Sequence, residues 1–273
     1  MMLRCLLTIA TPEAGAAKTP FYTIMLNSLK RLFGPPKISL LHATRTRVGR
    51  ALACKKLWME AAEKPERVEH LFAIDPDDAE SAVGLVGHTV VTVKEEGKGC
   101  VGAWNLAAEC STGDILVQLS DDWLPLPGWD TLFEQRLAPV KKPKVLRISD
   151  GHREDDLFCM AIITRARMVQ EGWFLPPAYT GIYSDDEFSF RAFEDGVVVD
   201  ARDLVFVHEH PNYDSAIEMD ETYRRQNDDS RYAEARQIFK ERNPAAKKRW
   251  FVKDHWERRW VSAAEYAAAN PKK

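Results

Sequence analysis

Apolar positions along this chain change period repeatedly, from the continuous or alternating runs of strands to the three-to-four-residue spacing of helices. Lys37-Ile38-Ser39-Leu40-Leu41-His42-Ala43 follows a Gly34-Pro35-Pro36 break and predicts a first strand. Val48, Ala51, Leu52, Met59 and Ala62 then recur at helical spacing. Val68 to Ile74 predicts a second strand, ending at Asp75-Pro76-Asp77-Asp78, and Thr89 to Lys94 a third. A helix from about Gly99 to Cys110 precedes a fourth apolar run, Asp114-Ile115-Leu116-Val117-Gln118-Leu119, which meets Ser120-Asp121-Asp122 and breaks. Strands alternating with helices predict an α/β layer fold.

Carboxylate clusters at the ends of the second and fourth strands bring in chemistry. Adjacent acids repel each other unless a cation, hydrogen bonds or water neutralise them, and Mg²⁺ or Mn²⁺ takes one or two such hard oxygens together with substrate phosphates. Turn formation or helix capping is the competing explanation for Asp121-Asp122. Ligands of open α/β sheets bind beyond the carboxyl ends of the strands, so Thr44-Arg45, Asp75 and Asp121-Asp122 are expected to line one crevice. No G-x-G-x-x-G follows the first strand and no G-x-x-x-x-G-K-[ST] occurs, which removes the main support for dinucleotide and P-loop sites. Phosphate would have to be held by a metal and side chains.

Composition changes this picture only in places. The 273 residues, 45% hydrophobic, can bury one large core or two smaller ones. Five cysteines (Cys5, Cys54, Cys100, Cys110, Cys159) form no C-x-x-C pair, which argues against a disulfide framework or structural zinc. The first ten residues read as neither a signal peptide nor a membrane span, so a cytoplasmic location is expected. A stripe of Tyr22, Met25, Leu26, Leu29, Leu32 and Phe33 predicts an amphipathic helix in the N-terminal extension. The formal charge of −3 is uneven: Lys240 to Lys273 holds ten Lys/Arg against four Asp/Glu. Aromatics interleave with that charge in Lys247-Lys248-Arg249-Trp250-Phe251-Val252-Lys253 and His255-Trp256-Glu257-Arg258-Arg259-Trp260, a composition suited to nucleic acid. Tryptophans packed on the core with lysines outside would give the same pattern.

From Lys37 to Pro211 the ordered series of Thr44-Arg45, Asp75, Gly99, Asn105 and Leu119-Ser120-Asp121-Asp122 resembles the nucleotide-sugar glycosyltransferases of the GT-A fold, family 2 type in particular. This resemblance implies a Rossmann-like mixed sheet flanked by helices, a nucleotide-sugar donor with a UDP-sugar favoured, and Mn²⁺ or Mg²⁺. By the same match Asp75 would contact the nucleobase, Asp121 the ribose or donor sugar, and Asp122 the metal. Ser184-Asp185-Asp186-Glu187-Phe188-Ser189-Phe190-Arg191 is similar to the family's acidic helix start, which makes Asp185 the implied general base and Asp186 its competitor or an acceptor contact. Ser184 followed by three acids would equally form a good helix N-terminus. Val205 to Pro211 delivers His208, the implied second metal ligand. A base acting from the far face of the acceptor implies inversion at the anomeric carbon.

Two positions depart from the family pattern. Trp104 stands before Asn105 where relatives have Arg, so Lys98 is the expected substitute for a donor contact, and Ser184 takes the first acidic place of the helix motif. Gly172 to Tyr179, with Trp173 and Tyr179, is the expected acceptor loop. The acceptor is expected to be a saccharide or polymer precursor, or a hydroxylated base in DNA reached through the basic C-terminal segment. A sugar nucleotidyltransferase, or a noncatalytic nucleotide- or nucleic-acid-binding module, is the alternative. The expected organisation is an extension over 1–36, a catalytic domain over 37–211 divided near 123, and a helical basic extension over 212–273.

Overall fold

The computed structural model describes residues 37–226, 229–254 and 257–271. The N-terminal extension, with its expected amphipathic helix between Phe21 and Phe33, lies outside the described residues. In chain order the elements are β1 (Ile38–Ala43), α1 (Val48–Ala61), β2 (Val68–Ile74), α2 (Ala79–Gly84), β3 (Val90–Thr92), α3 (Gly99–Cys110), β4 (Ile115–Leu119), β5 (Trp123–Leu124), α4 (Trp129–Leu137), β6 (Val145–Ser149), β7 (Ile162–Thr164), α5 (Arg165–Glu171), α6 (Ser184–Glu194), β8 (Val198–Val205) and β9 (Val207–His208). The C-terminal part adds α7 (Glu221–Gln226), α8 (Asp229–Arg242), α9 (Ala246–Arg249), β10 (Trp250–Asp254), β11 (Glu257–Trp260) and α10 (Ala263–Ala269).

Seven strands form a mixed sheet in the order β3-β2-β1-β4-β7-β6-β8. The first four are parallel; β7 runs antiparallel between β4 and β6. Every residue of β1 is buried because the strand is central and covered on both faces. Its two-residue period divides the core: Leu41 and Ala43 pack with α3 and α6, whereas Ile38 and Leu40 pack with α1 and α4 around Trp58, Trp129 and Phe133. The chain runs outward from β1 through β2 to β3 and then returns to β4 on the other side of β1. That reversal opens a switch-point crevice at the carboxyl ends of β1 and β4.

The C-terminal extension is not wholly helical as expected, because β10 and β11 form an antiparallel hairpin. Opposed Trp250 and Trp260, and next to them Arg258, turn inward on the strand period, leaving Phe251 and Arg259 outside. Among the described residues no helix is long and apolar enough to cross a membrane.

Candidate active site

The crevice at the switch point holds about 810 Å³, within the range of small-molecule sites. One wall is made by the strand ends. Asp121 follows β4 and faces Thr44 beyond β1, whose hydroxyl donates to Asp121 Oδ2 at 3.1 Å. Buried His42 places Nε2 2.8 Å from Asp121 Oδ1. Asp75 and Arg45 also line the crevice, joined by an Arg45 Nη1 to Asp75 Oδ2 bond of 2.8 Å, while Asp77 takes both guanidinium nitrogens. Arg45 is therefore engaged with carboxylates rather than presented free to phosphate.

Asp122 and His208 meet because β5 pairs antiparallel with β9, setting Trp123 opposite His208. Their rings stack at 4.2 Å, which orients the imidazole so that Nε2 lies 3.5 Å from Asp122 Oδ2. Ser120 Oγ donates to Asp122 Oδ1 at 2.7 Å and Tyr223 OH to Oδ2 at 2.9 Å. Burial alone would raise the Asp122 carboxyl, but His208, Ser120 and Tyr223 together hold it well below the usual carboxylate range. An ionised hard oxygen beside an imidazole nitrogen fits Mn²⁺ or Mg²⁺. Among the described residues no three His, Cys, Asp or Glu come together as a metal-binding group, so Asp122 and His208 are the side chains that would hold such an ion.

The N-terminus of α6 also lines the crevice. Its cap is Tyr183, in the left-handed region at φ 65°, and not Ser184, which is the first helical residue and donates to Gly181 O. Strain of this kind collects where the surroundings over-determine the backbone. Successive helix positions differ by about 100°, and this separates the adjacent acids. Asp185 faces the crevice. Burial first, and the Asp186 charge second, push its carboxyl up to about 6, although the helix terminus favours anions.

Asp186 is a correction to the expectation of an acceptor contact or rival base. It points away from the crevice, 1% exposed, and accepts from Trp250 Nε1 at 2.9 Å and Arg258 Nε at 3.3 Å. Glu187, fully buried, is bound by Tyr179, Arg242 and Asn243. The acids of α6 are thus divided between the crevice and anchorage to the C-terminal extension.

Other expected contacts move in the same way. Gly99, Cys100, Ala103 and Trp104 form the face of α3 that lines the crevice, and Asn105 falls one position past it. Its amide instead accepts from the Phe174 and Leu175 N–H groups and donates to Leu175 O, each at 2.9 Å, fixing the 172–179 loop. Lys98 points to solvent, paired with Glu95 at 2.9 Å. Trp173 lies outside the crevice under the Arg191 guanidinium, and Tyr179 reaches the wall with its hydroxyl already donated to Glu187 at 2.7 Å. Trp250 is 5% exposed and Trp260 stacks on Phe193 at 5.1 Å, so these two tail aromatics are core anchors; Trp256 lies outside the described residues.

Several site residues had no sequence signal. Tyr223, Arg225, Arg231, Glu234, Ala235 and Ile238 bring α7 and α8 over the crevice. Arg47, bidentate to Asp220 at 2.7 and 2.5 Å with its guanidinium 4.0 Å over the Tyr223 ring, ties that cover to the start of α1. His42 could have been noticed as an imidazole inside an apolar strand, where burial demands a partner.

No protein-family model matches the chain, and no curated protein matches it in sequence. Solved structures do resemble it. A mannosyltransferase from Pyrobaculum calidifontis in complex with GDP-Man and Mn²⁺ is 16% identical with a TM-score of 0.53, over 68% of this chain and 64% of that one. S. aureus TarS 1–349 in complex with UDP-GlcNAc is 12% identical with a TM-score of 0.51, over 86% and 76%. Glucosyl-3-phosphoglycerate synthase from Mycobacterium tuberculosis, in complex with Mn²⁺, UDP and glucosyl-3-phosphoglycerate, is 13% identical with a TM-score of 0.50, over 90% and 94%. The chain spans less than two thirds of the length of the mannosyltransferase. At these identities the likeness establishes the fold, which is the GT-A fold of glycosyltransferases.

Proposed function

We propose that this protein is a metal-dependent glycosyltransferase that moves a sugar from a nucleotide diphosphate sugar, a UDP-sugar in the first instance, to a hydroxyl of an acceptor. One observation carries this reading: a single crevice is lined both by an ionised Asp122 beside His208 and by Asp185, a carboxyl pushed up to about 6. Departure of the diphosphate needs positive charge, and attack by the acceptor needs its proton removed. Asp122 and His208 would hold Mn²⁺ or Mg²⁺, which when bound neutralises charge on the leaving diphosphate. Asp75 offers an acceptor to the nucleobase, shared with Arg45, and Asp121 offers its free lone pairs to ribose or sugar hydroxyls. Asp185, at the start of α6, takes the acceptor proton, and a single base acting on the face away from the leaving group would give inversion.

A saccharide or polymer precursor is the acceptor favoured. A hydroxylated DNA base loses part of its expected stacking surface, because Trp250 and Trp260 are spent on the core. The test is a thermal-shift panel of nucleotide sugars with and without Mn²⁺. A cognate donor at 100 times its Kd should stabilise the fold by about 2.7 kcal/mol, and only with Mn²⁺. An unchanged Tm across the panel at millimolar donor and Mn²⁺ would overturn the proposal.

A further inference from the structure

Two buried histidines play no part in the chemistry assigned above. Across the parallel β1–β2 pair, His70 faces Leu40 and His42 faces Phe72, so the imidazoles are diagonal neighbours on one face of the sheet. His42 Nδ1 lies 3.0 Å from His70 Nε2, and His42 Nε2 lies 2.8 Å from Asp121 Oδ1. Thr44 completes the set from the other carboxylate oxygen. At the far end, His70 Nδ1 is buried without a hydrogen-bond partner.

These contacts fix a direction. A buried lone pair without a partner is tolerated more readily than an orphaned N–H, which favours the tautomer of His70 with its proton on Nε2. That N–H then donates to His42 Nδ1, and His42 carries its own proton on Nε2, where it donates to Asp121. Burial, followed by the neighbouring His42, holds His70 well below the ordinary imidazole range, which agrees with a neutral ring. An apolar side chain would fill the same space beside Phe72, whose ring centroid is 5.0 Å from His42. What an apolar residue could not do is hold a carboxylate.

We propose that His42 is a positioning residue for Asp121, and that His70 holds His42 in the tautomer that does the positioning. With both carboxylate oxygens tied on the sheet side, Asp121 is held at one angle, and its remaining lone pairs meet a donor hydroxyl without reorganising. The consequence for turnover rests on the function proposed above; the tautomer does not.

The experiment has two parts on the full chain. Nitrogen-15 histidine spectra, assigned with His42→Gln and His70→Gln, should show His42 and His70 of the wild type protonated on Nε2; His42 protonated on Nδ1 overturns the relay whether or not any donor binds. Steady-state kinetics should then show His42→Phe raising donor KM by about tenfold or more, the scale of one lost charge-assisted hydrogen bond. His42→Gln, whose amide can reach Asp121, should recover most of that loss. His70→Phe, which keeps the Asp121 contact and frees the tautomer, should give a smaller rise and serves if His42→Phe does not fold. A folded His42→Phe with wild-type donor KM and kcat refutes the positioning role. Wild-type protein that turns over no donor removes the proposed function, and the spectra still decide the relay.

Discussion

Asp185 and Asp186 are neighbours in sequence with opposite surroundings, so replacing each with Asn should separate activity from stability. Asp186 lies in a buried ion pair with Arg258, with side chains 2% and 6% exposed, and also accepts from Trp250. Removing one partner of such a pair typically costs about 3–5 kcal/mol, and the lower end applies here because Asn keeps an oxygen for the indole. In a chain of this size that corresponds to a fall in Tm of roughly 6–12 °C. Asp185 goes the other way. Its folded-state pKa, about 6, lies above the ordinary 3.8, so the stability it contributes is complete below the lower value and is lost as pH rises through the upper one. At about 1.4 kcal/mol per pH unit, the ionised carboxylate takes on the order of 3 kcal/mol from the fold at neutral pH, less where water reaches it. Asp185→Asn should therefore melt at or above the wild-type temperature while turnover falls about 10²- to 10⁴-fold, the usual worth of a general base. The assay pairs nucleoside diphosphate release under saturating donor and Mn²⁺ with thermal melts of both variants at one pH. Wild-type turnover in Asp185→Asn, or an inactive Asp186→Asn that melts like the wild type, would refute the assignment.

With the same base, kcat/KM should decline on the acid side with an apparent pKa near 6, and a profile flat from pH 5 to 7.5 would contradict the role of Asp185. Gly99 starts α3 at φ +60°, and a Cβ there would run into the backbone oxygen of Thr180, four residues before α6 begins. Gly99→Ala should cost about 1–3 kcal/mol and lower kcat more than donor affinity by displacing the Asp185 wall; an unchanged Tm would show that the close approach is not maintained.

The pattern of the chain revealed β2 and α3 to the residue and β1 nearly so, because central parallel strands are continuous apolar runs and their crossover helices keep a clear period. The crevice at the strand ends followed from topology alone, and Thr44, Arg45, Asp75, Asp121 and Asp122 are all in it. Side-chain direction was much less legible. Asn105 and Asp186 each sit one helical step, about 100°, from the face that matters, and a sequence motif does not say which face of its helix is turned to the site. Tyr223 and Arg47 were invisible for another reason, since a polar segment without periodicity does not disclose that it folds back over a strand end more than a hundred residues away. The tail misled through composition: Trp250 and Trp260 have the spacing of stacking residues, and their hairpin register turns both of them inward.

Sequence separation within the site has a consequence for how the protein is made. Asp186 waits for Arg258 across 72 residues, Asp122 for Tyr223 across 101, and Arg47 for Asp220 across 173. On the ribosome the strands carrying Asp121 and Asp122 are therefore synthesised well before the groups that cover and anchor the crevice. A nascent chain halted near residue 211 holds two carboxylates destined for burial, Asp186 and Glu187, without their arginines, and contacts this far apart form late and slowly. A chain that stops short therefore lacks the groups that compensate the burial of Asp186 and Glu187.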